Sequence, residues 1–141
     1  LSNESELLLM FAARAQLISE KINNSDKDIV LFDRFYDASM AYQGFGRGLP
    51  QEIIKSLISF TKCPVPDATF LLDIEVEEGF KRKFNDKKDR IESSGEVFFE
   101  QVRSGYLALS KNEPNRIKVL DAKKSIDDLH NDIVSFVDII L

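Results

Sequence analysis

Three short runs, each closed by an aspartate, constrain this chain more than any other feature. Ile29-Val30-Leu31-Phe32 ends in Asp33, Thr69-Phe70-Leu71-Leu72 ends in Asp73, and Ile117 to Leu120 ends in Asp121. Short apolar runs bounded by polar residues are the pattern of strands buried on both faces. The segments between them carry helical spacing. Asn3 and Glu6 stand at capping-box separation, and Leu7, Phe11, Ala15, Ile18 and Ile22 then recur every three or four residues, which predicts about five helical turns. Asp37 to Gln43 forms a short helix that Gly44, Gly46 and Gly48 stop, and Pro50 opens another carrying Ile53, Ile54, Leu57 and Ile58. Further helices are expected over Val76 to Phe84, along Phe98, Val102, Tyr106 and Leu109, and after a Ser125/Asp128 cap along Ile126, Leu129, Ile133, Val137 and Ile140. Strands alternating with helices imply parallel βαβ units, hence an α/β sheet with helices on both faces and ligands beyond the carboxyl ends of its strands.

Composition narrows the function classes. A length of 141 residues predicts a single domain over 1–141, and 43% apolar with 30% charged residues is ordinary for a globular chain. A net charge of −5 repels polyanions, so no nucleic acid is expected as a partner. No apolar stretch approaches the roughly 20 residues of a bilayer span, so no membrane is expected either. The lone Cys63 cannot form an internal disulfide, which fits a cytoplasmic location. His130 has no second ligand at metal spacing and reads as a surface residue.

Asp33-Arg34 differs from the other two strand ends because a fixed cation adjoins the carboxylate. Arginine is shaped to hold a phosphate bidentately, and an aspartate here can hold Mg²⁺ through water in a phosphoryl-transfer site. Gly44, Gly46 and Gly48 follow a helix and not a strand, so they are no dinucleotide fingerprint.

The run Asp33-Arg34-Phe35-Tyr36-Asp37-Ala38-Ser39-Met40-Ala41-Tyr42-Gln43-Gly44-Phe45-Gly46-Arg47-Gly48 resembles the signature of the thymidylate kinases, nucleoside monophosphate kinases that act on dTMP. Upstream, Leu7 to Gln16 resembles the helix with which that family contacts thymine. Downstream, Asp89-Arg90-Ile91-Glu92 with Phe98-Phe99, Val102-Arg103 and Gly105-Tyr106-Leu107 resembles its lid and the helix after it. Three motifs in the family's order span essentially the whole chain. The resemblance implies a three-layer P-loop nucleoside monophosphate kinase fold, a parallel sheet with helices on both faces, with a lid at about 82–95.

It also implies roles for individual residues. Arg14 falls on the thymine O4 edge, and Met10, where the family commonly has Phe, lies against the face of the base. Ser39 and Gln43 hydrogen-bond the base, and Tyr42 crowds the 2′ carbon of the sugar. Arg34 takes the acceptor phosphate, and Asp33 sits near the metal. Arg82, Lys83, Lys87, Lys88 and Arg90 form a basic lid whose sign suits ATP and resembles the branch of the family whose catalytic arginine lies in the lid, a role open to Arg82, Lys83 or Lys87, with Asp33, Arg34, Arg82 and Arg90 as the catalytic set. Asp121-Ala122-Lys123 match the loop beside the donor adenine. The implied reaction is transfer of the ATP γ-phosphoryl to dTMP, with Mg²⁺ and no covalent intermediate, by a homodimer formed through helices on the side of the first long helix.

No G-x-x-x-x-G-K-[ST] phosphate loop occurs in the sequence, which opens Leu1-Ser2-Asn3 without a methionine. The chain is therefore expected to be the last two thirds of a longer kinase, inactive alone and lacking the fold's first strands. A kinase for another nucleotide or deoxynucleoside, or a non-catalytic nucleotide-binding or dimerisation remnant, remain as alternatives.

Overall fold

The computed structural model describes residues 1–84 and 93–141, which divide into two compact units, Leu1–Val65 and Pro66–Leu141.

In the first unit, α1 (Asn3–Leu17) continues without a break into a wider turn, Ile18–Ile22, so the predicted five-turn helix is present. Its cap falls one residue earlier than the spacing suggested: Ser2 Oγ accepts from Ser5 N at 3.2 Å, and Glu6 is left for another task. Leu7, Phe11 and Ile18 are buried along the predicted stripe. α2 (Tyr36–Ser39) runs into a second wide-turn segment, Met40–Gly46, closed by Arg47 N donating to Tyr42 O at 2.8 Å. Gly44 and Gly46 therefore extend this helix instead of ending it. Gly44 lets it approach α3 (Gln51–Phe60) closely, since a Cβ there would sit 3.3 Å from Ile54 Cδ1. Gly48, at φ +72°, makes the turn between them. Ile18, Phe35 and Tyr36 centre the core, with Ile22, Phe32, Ile58 and Cys63 around them.

The run 29–32 is the one expected strand that does not form. Those residues lie outside any ladder, and Leu31 is 90% exposed. A strand needs a neighbour to take up its backbone groups, and the described sheet has two strands, both in the second unit.

That unit contains β1 (Thr69–Asp73), α4 (Val76–Phe84), α5 (Ser93–Asn112), β2 (Ile117–Asp121) and α6 (Ile126–Ile140). β1 and β2 pair in parallel with Thr69 opposite Ile117 and Asp73 opposite Asp121, so both aspartates stand at one carboxyl edge. The connection runs through helices, as parallel pairing requires. Phe80 meets Phe99 edge-on at 5.3 Å between α4 and α5, and Phe136 of α6 lies 6.2 Å from Phe70 of β1. The predicted stripe of α6 is only partly covered, with Ile126 86% exposed and no residue of the helix fully buried. No described helix is long and apolar enough to cross a membrane.

Candidate active site

Within Leu1–Val65, α1 and the Tyr36–Gly46 helix are tied by two polar rungs. Arg14 Nη2 donates to Ser39 Oγ at 3.2 Å and to Phe35 O at 3.4 Å, while Gln43 Nε2 donates to Glu6 Oε1 at 2.7 Å. Glu6, Met10 and Arg14 follow at intervals of four and share one face of α1, so the rungs are separated by about 12 Å of helix rise with Met10 between them. Ser39 and Gln43 are likewise one turn apart on the facing helix.

The rungs leave two polar atoms over. Arg14 Nη1 and Gln43 Oε1 are buried and have no hydrogen-bond partner among the described residues. An orphaned buried polar atom costs about 1–3 kcal/mol, so native proteins rarely keep one without a use for it. Arg14 is further held by its faces, 4.6 Å from the Phe11 ring centre and 5.6 Å from that of Phe35. Burial pushes its pKa below the usual arginine value, a shift that Cys63 partly opposes. The guanidinium remains a cation. Arg14 Nη1 is thus a donor and Gln43 Oε1 an acceptor left without a partner among the described residues, and Met10, on the same face of α1 as Arg14, is 44% exposed with a thioether soft enough to lie against a flat ring.

Asp33 and Arg34 follow the run 29–32, both exposed. Arg34 adopts φ +65°, a strained conformation for a non-glycine residue and one that concentrates at functional sites. Its guanidinium lies 5.3 Å from the Tyr42 ring centre, a contact that orients the cation. No group of three metal-ligating side chains occurs among the described residues.

The carboxyl edge of the sheet in Pro66–Leu141 is built differently. Arg103 of α5 donates from Nε and Nη2 to the two oxygens of Asp73 at 2.8 and 3.0 Å, and those bonds hold the Asp73 carboxyl below its usual range. Asp121 Oδ1 accepts from Lys123 N at 2.9 Å, and Arg82 Nη1 donates to Ala122 O at 2.9 Å while pairing with Glu78 at 3.6 Å. Arg82 is thus tied to the 121–123 loop that the family resemblance placed beside the donor base. Lys123 pairs with Glu75 at 3.6 Å. Lys83 falls in α4, and Lys87, Lys88 and Arg90 lie outside the described residues. His130 is exposed, as expected.

Sequence reasoning assigned Glu6 to a helix cap and missed its bond to Gln43. Its four-residue spacing from Met10 and Arg14 is the signal that could have placed it on the site's face.

Comparison with known proteins gives one family. The model described as thymidylate kinase matches residues 1–133. The thymidylate kinase of Chlorobaculum tepidum is 40% identical over 147 aligned positions, covering 94% of this chain and 68% of that protein. That of Kosmotoga olearia is 42% identical over 135, covering 93% and 65%. A crystal structure of thymidylate kinase from Ehrlichia chaffeensis superposes with a TM-score of 0.78 at 27% identity, over 98% of this chain and 67% of that one. The chain spans about two thirds of the length of the relatives it matches.

Proposed function

Since this chain belongs to the thymidylate kinase family and has its α/β nucleoside monophosphate kinase fold, we propose that the protein transfers the γ-phosphoryl of ATP to dTMP, giving dTDP and ADP. The observation that carries this reading is the pair of unpartnered buried atoms, Arg14 Nη1 and Gln43 Oε1. Thymine presents a carbonyl acceptor, O4, beside a donor, N3–H, and the two protein atoms are their complements. Met10 lies against the base, Ser39 holds Arg14 by its second nitrogen, and Tyr42 sits against the sugar while its ring steadies Arg34 for the acceptor phosphate.

Asp33 would hold Mg²⁺ through water, and the ion would supply neutralisation of phosphate charge. Arg82, Lys83, Lys87, Lys88 and Arg90 serve the donor phosphates, and Asp121, Ala122 and Lys123 the adenine. Phosphoryl transfer asks mainly for positioning and charge stabilisation, and a covalent intermediate has no part in it. The exposed Leu8 and Leu9 of α1 serve subunit contact in a homodimer, which sedimentation checks directly. The place of action is the cytoplasm.

A coupled ADP-release assay on the protein expressed from its complete reading frame tests the reading. ADP release that requires dTMP and exceeds that with dCMP supports it, and preference for another acceptor overturns it.

A further inference from the structure

We propose that Glu6 is a positioning residue that sets the polarity of base recognition by locking the Gln43 side-chain amide in one orientation. The inference rests on the reading of Arg14 and Gln43 as base contacts. A primary amide can turn over by half a rotation, exchanging its donor and acceptor ends with almost no change in shape. An unrestrained Gln43 would therefore offer a ring nitrogen either Oε1 or Nε2. In the first orientation it accepts from the N3–H of thymine, and in the second it donates to the bare N3 of cytosine.

Glu6 removes that freedom. A carboxylate has only acceptors to give, so of the two ends only Nε2 can face it, at 2.7 Å. Turning the amide over would set oxygen against oxygen at that distance, lose a charge-assisted bond, and do so at a residue 2% exposed, where water cannot compensate. The atom left for the ligand is Oε1, buried and without a partner among the described residues. Arg14, incapable of accepting, sets the other half of the pattern with Nη1. The site then takes a pyrimidine-2,4-dione, acceptor beside donor, and refuses a 4-amino ring, whose pattern is reversed. Glu6 reaches the base only through Gln43, and it lies two helical turns from Arg14, away from the transferring phosphoryl in sequence and in role.

The test is steady-state kinetics on the protein from its complete reading frame, with dTMP and dCMP as acceptors, for the parent, Glu6→Gln and Gln43→Leu. In E6Q the new carboxamide can donate as well as accept, so Gln43 samples both orientations. KM for dTMP should rise about 10-fold with kcat within about 2-fold of the parent. The dTMP/dCMP ratio of kcat/KM should fall about 10- to 100-fold, the range of a lost hydrogen bond to a charged group. A merely structural Glu6 would lower melting temperature or kcat and leave that ratio alone. Should E6Q lose its cooperative melt, Glu6→Ala frees the amide equally and carries the same expectation. A ratio within about 2-fold of the parent in a folded Glu6 variant overturns the proposal. A dTMP KM unmoved in Gln43→Leu would instead sink the underlying assignment of Gln43, and absence of dTMP-dependent turnover in the parent would sink the proposed activity, so the three failures are separable.

Discussion

Arg14 and Arg103 are both partly buried arginines on long helices, and they are used in opposite ways. Arg103 gives two nitrogens to one carboxylate, Asp73, and that pairing ties α5 to the end of β1. Arg116, in the same unit, grips both oxygens of Glu113 at 2.7 and 3.0 Å and Thr69 Oγ1 at 3.0 Å. Arg14 reaches only a hydroxyl and a carbonyl, and keeps Nη1 buried without a partner among the described residues. A saturated arginine is committed to the fold. On the proposed reading, one with a spare buried donor is held for a ligand, at a cost in stability that binding recovers.

The strongest way to break this contrast is at Arg34, the strained cation over Tyr42. Arg34→Ala should lower kcat with dTMP about 100- to 1,000-fold, the usual loss when one preset charge-stabilising group is removed. A fall below 10-fold in single-turnover rate would remove Arg34 from the transfer step. Next comes a matched pair. Arg14→Met should lower kcat/KM for dTMP about 10- to 100-fold while the melting temperature holds within a few degrees, because it deletes a buried charge with an unsatisfied donor. Arg103→Met should do the reverse, lowering the melt and leaving the choice between dTMP and dCMP intact. Equal destabilisation by the two would erase the distinction.

Asp73→Asn should cost about 1–2 kcal/mol in chemical denaturation, the value of a partly buried, two-point ion pair. Its pH dependence has a definite sign. Arg103 depresses the folded-state pKa of Asp73, and Arg116 does the same for Glu113, so their contributions are present above the ordinary carboxylate value and fade as pH falls through the lower folded values. Stability should therefore drop below about pH 4, and D73N should flatten part of that acid limb. The smallest effect is expected at Gly48, where φ is +72° and no atom lies within 4 Å of a Cβ. Gly48→Ala should cost about 1 kcal/mol by backbone strain alone, readable as a small shift in melting temperature without a change in KM.

What was legible in the sequence follows the same line. Helices whose apolar stripe is covered locally were readable from spacing, as were the two runs that pair with each other, Thr69–Asp73 and Ile117–Asp121. The run 29–32 is at least as apolar, but pairing belongs to two segments and cannot be read from one. Asp33 and Asp73 show the matching limit for sites. Both close an apolar run, and only the structure shows that Asp73 is taken up by Arg103. Arg14, Ser39 and Gln43 were named through the family motifs, and the structure ties Arg14 to Ser39 and Gln43 to Glu6. Glu6 was not, because a glutamate three residues after an asparagine at a helix start satisfies the capping pattern, and the bond that employs it comes from a residue 37 positions away.

The account stands most directly on calorimetric titration of dTMP and dCMP into the protein from its complete reading frame, alongside Arg14→Met. If the spare donor and acceptor read the base, dTMP should bind about 100-fold more tightly than dCMP, and R14M should remove at least about 10-fold of that preference. Equal affinity for the two nucleotides in the parent, or an undiminished preference in R14M, would contradict it.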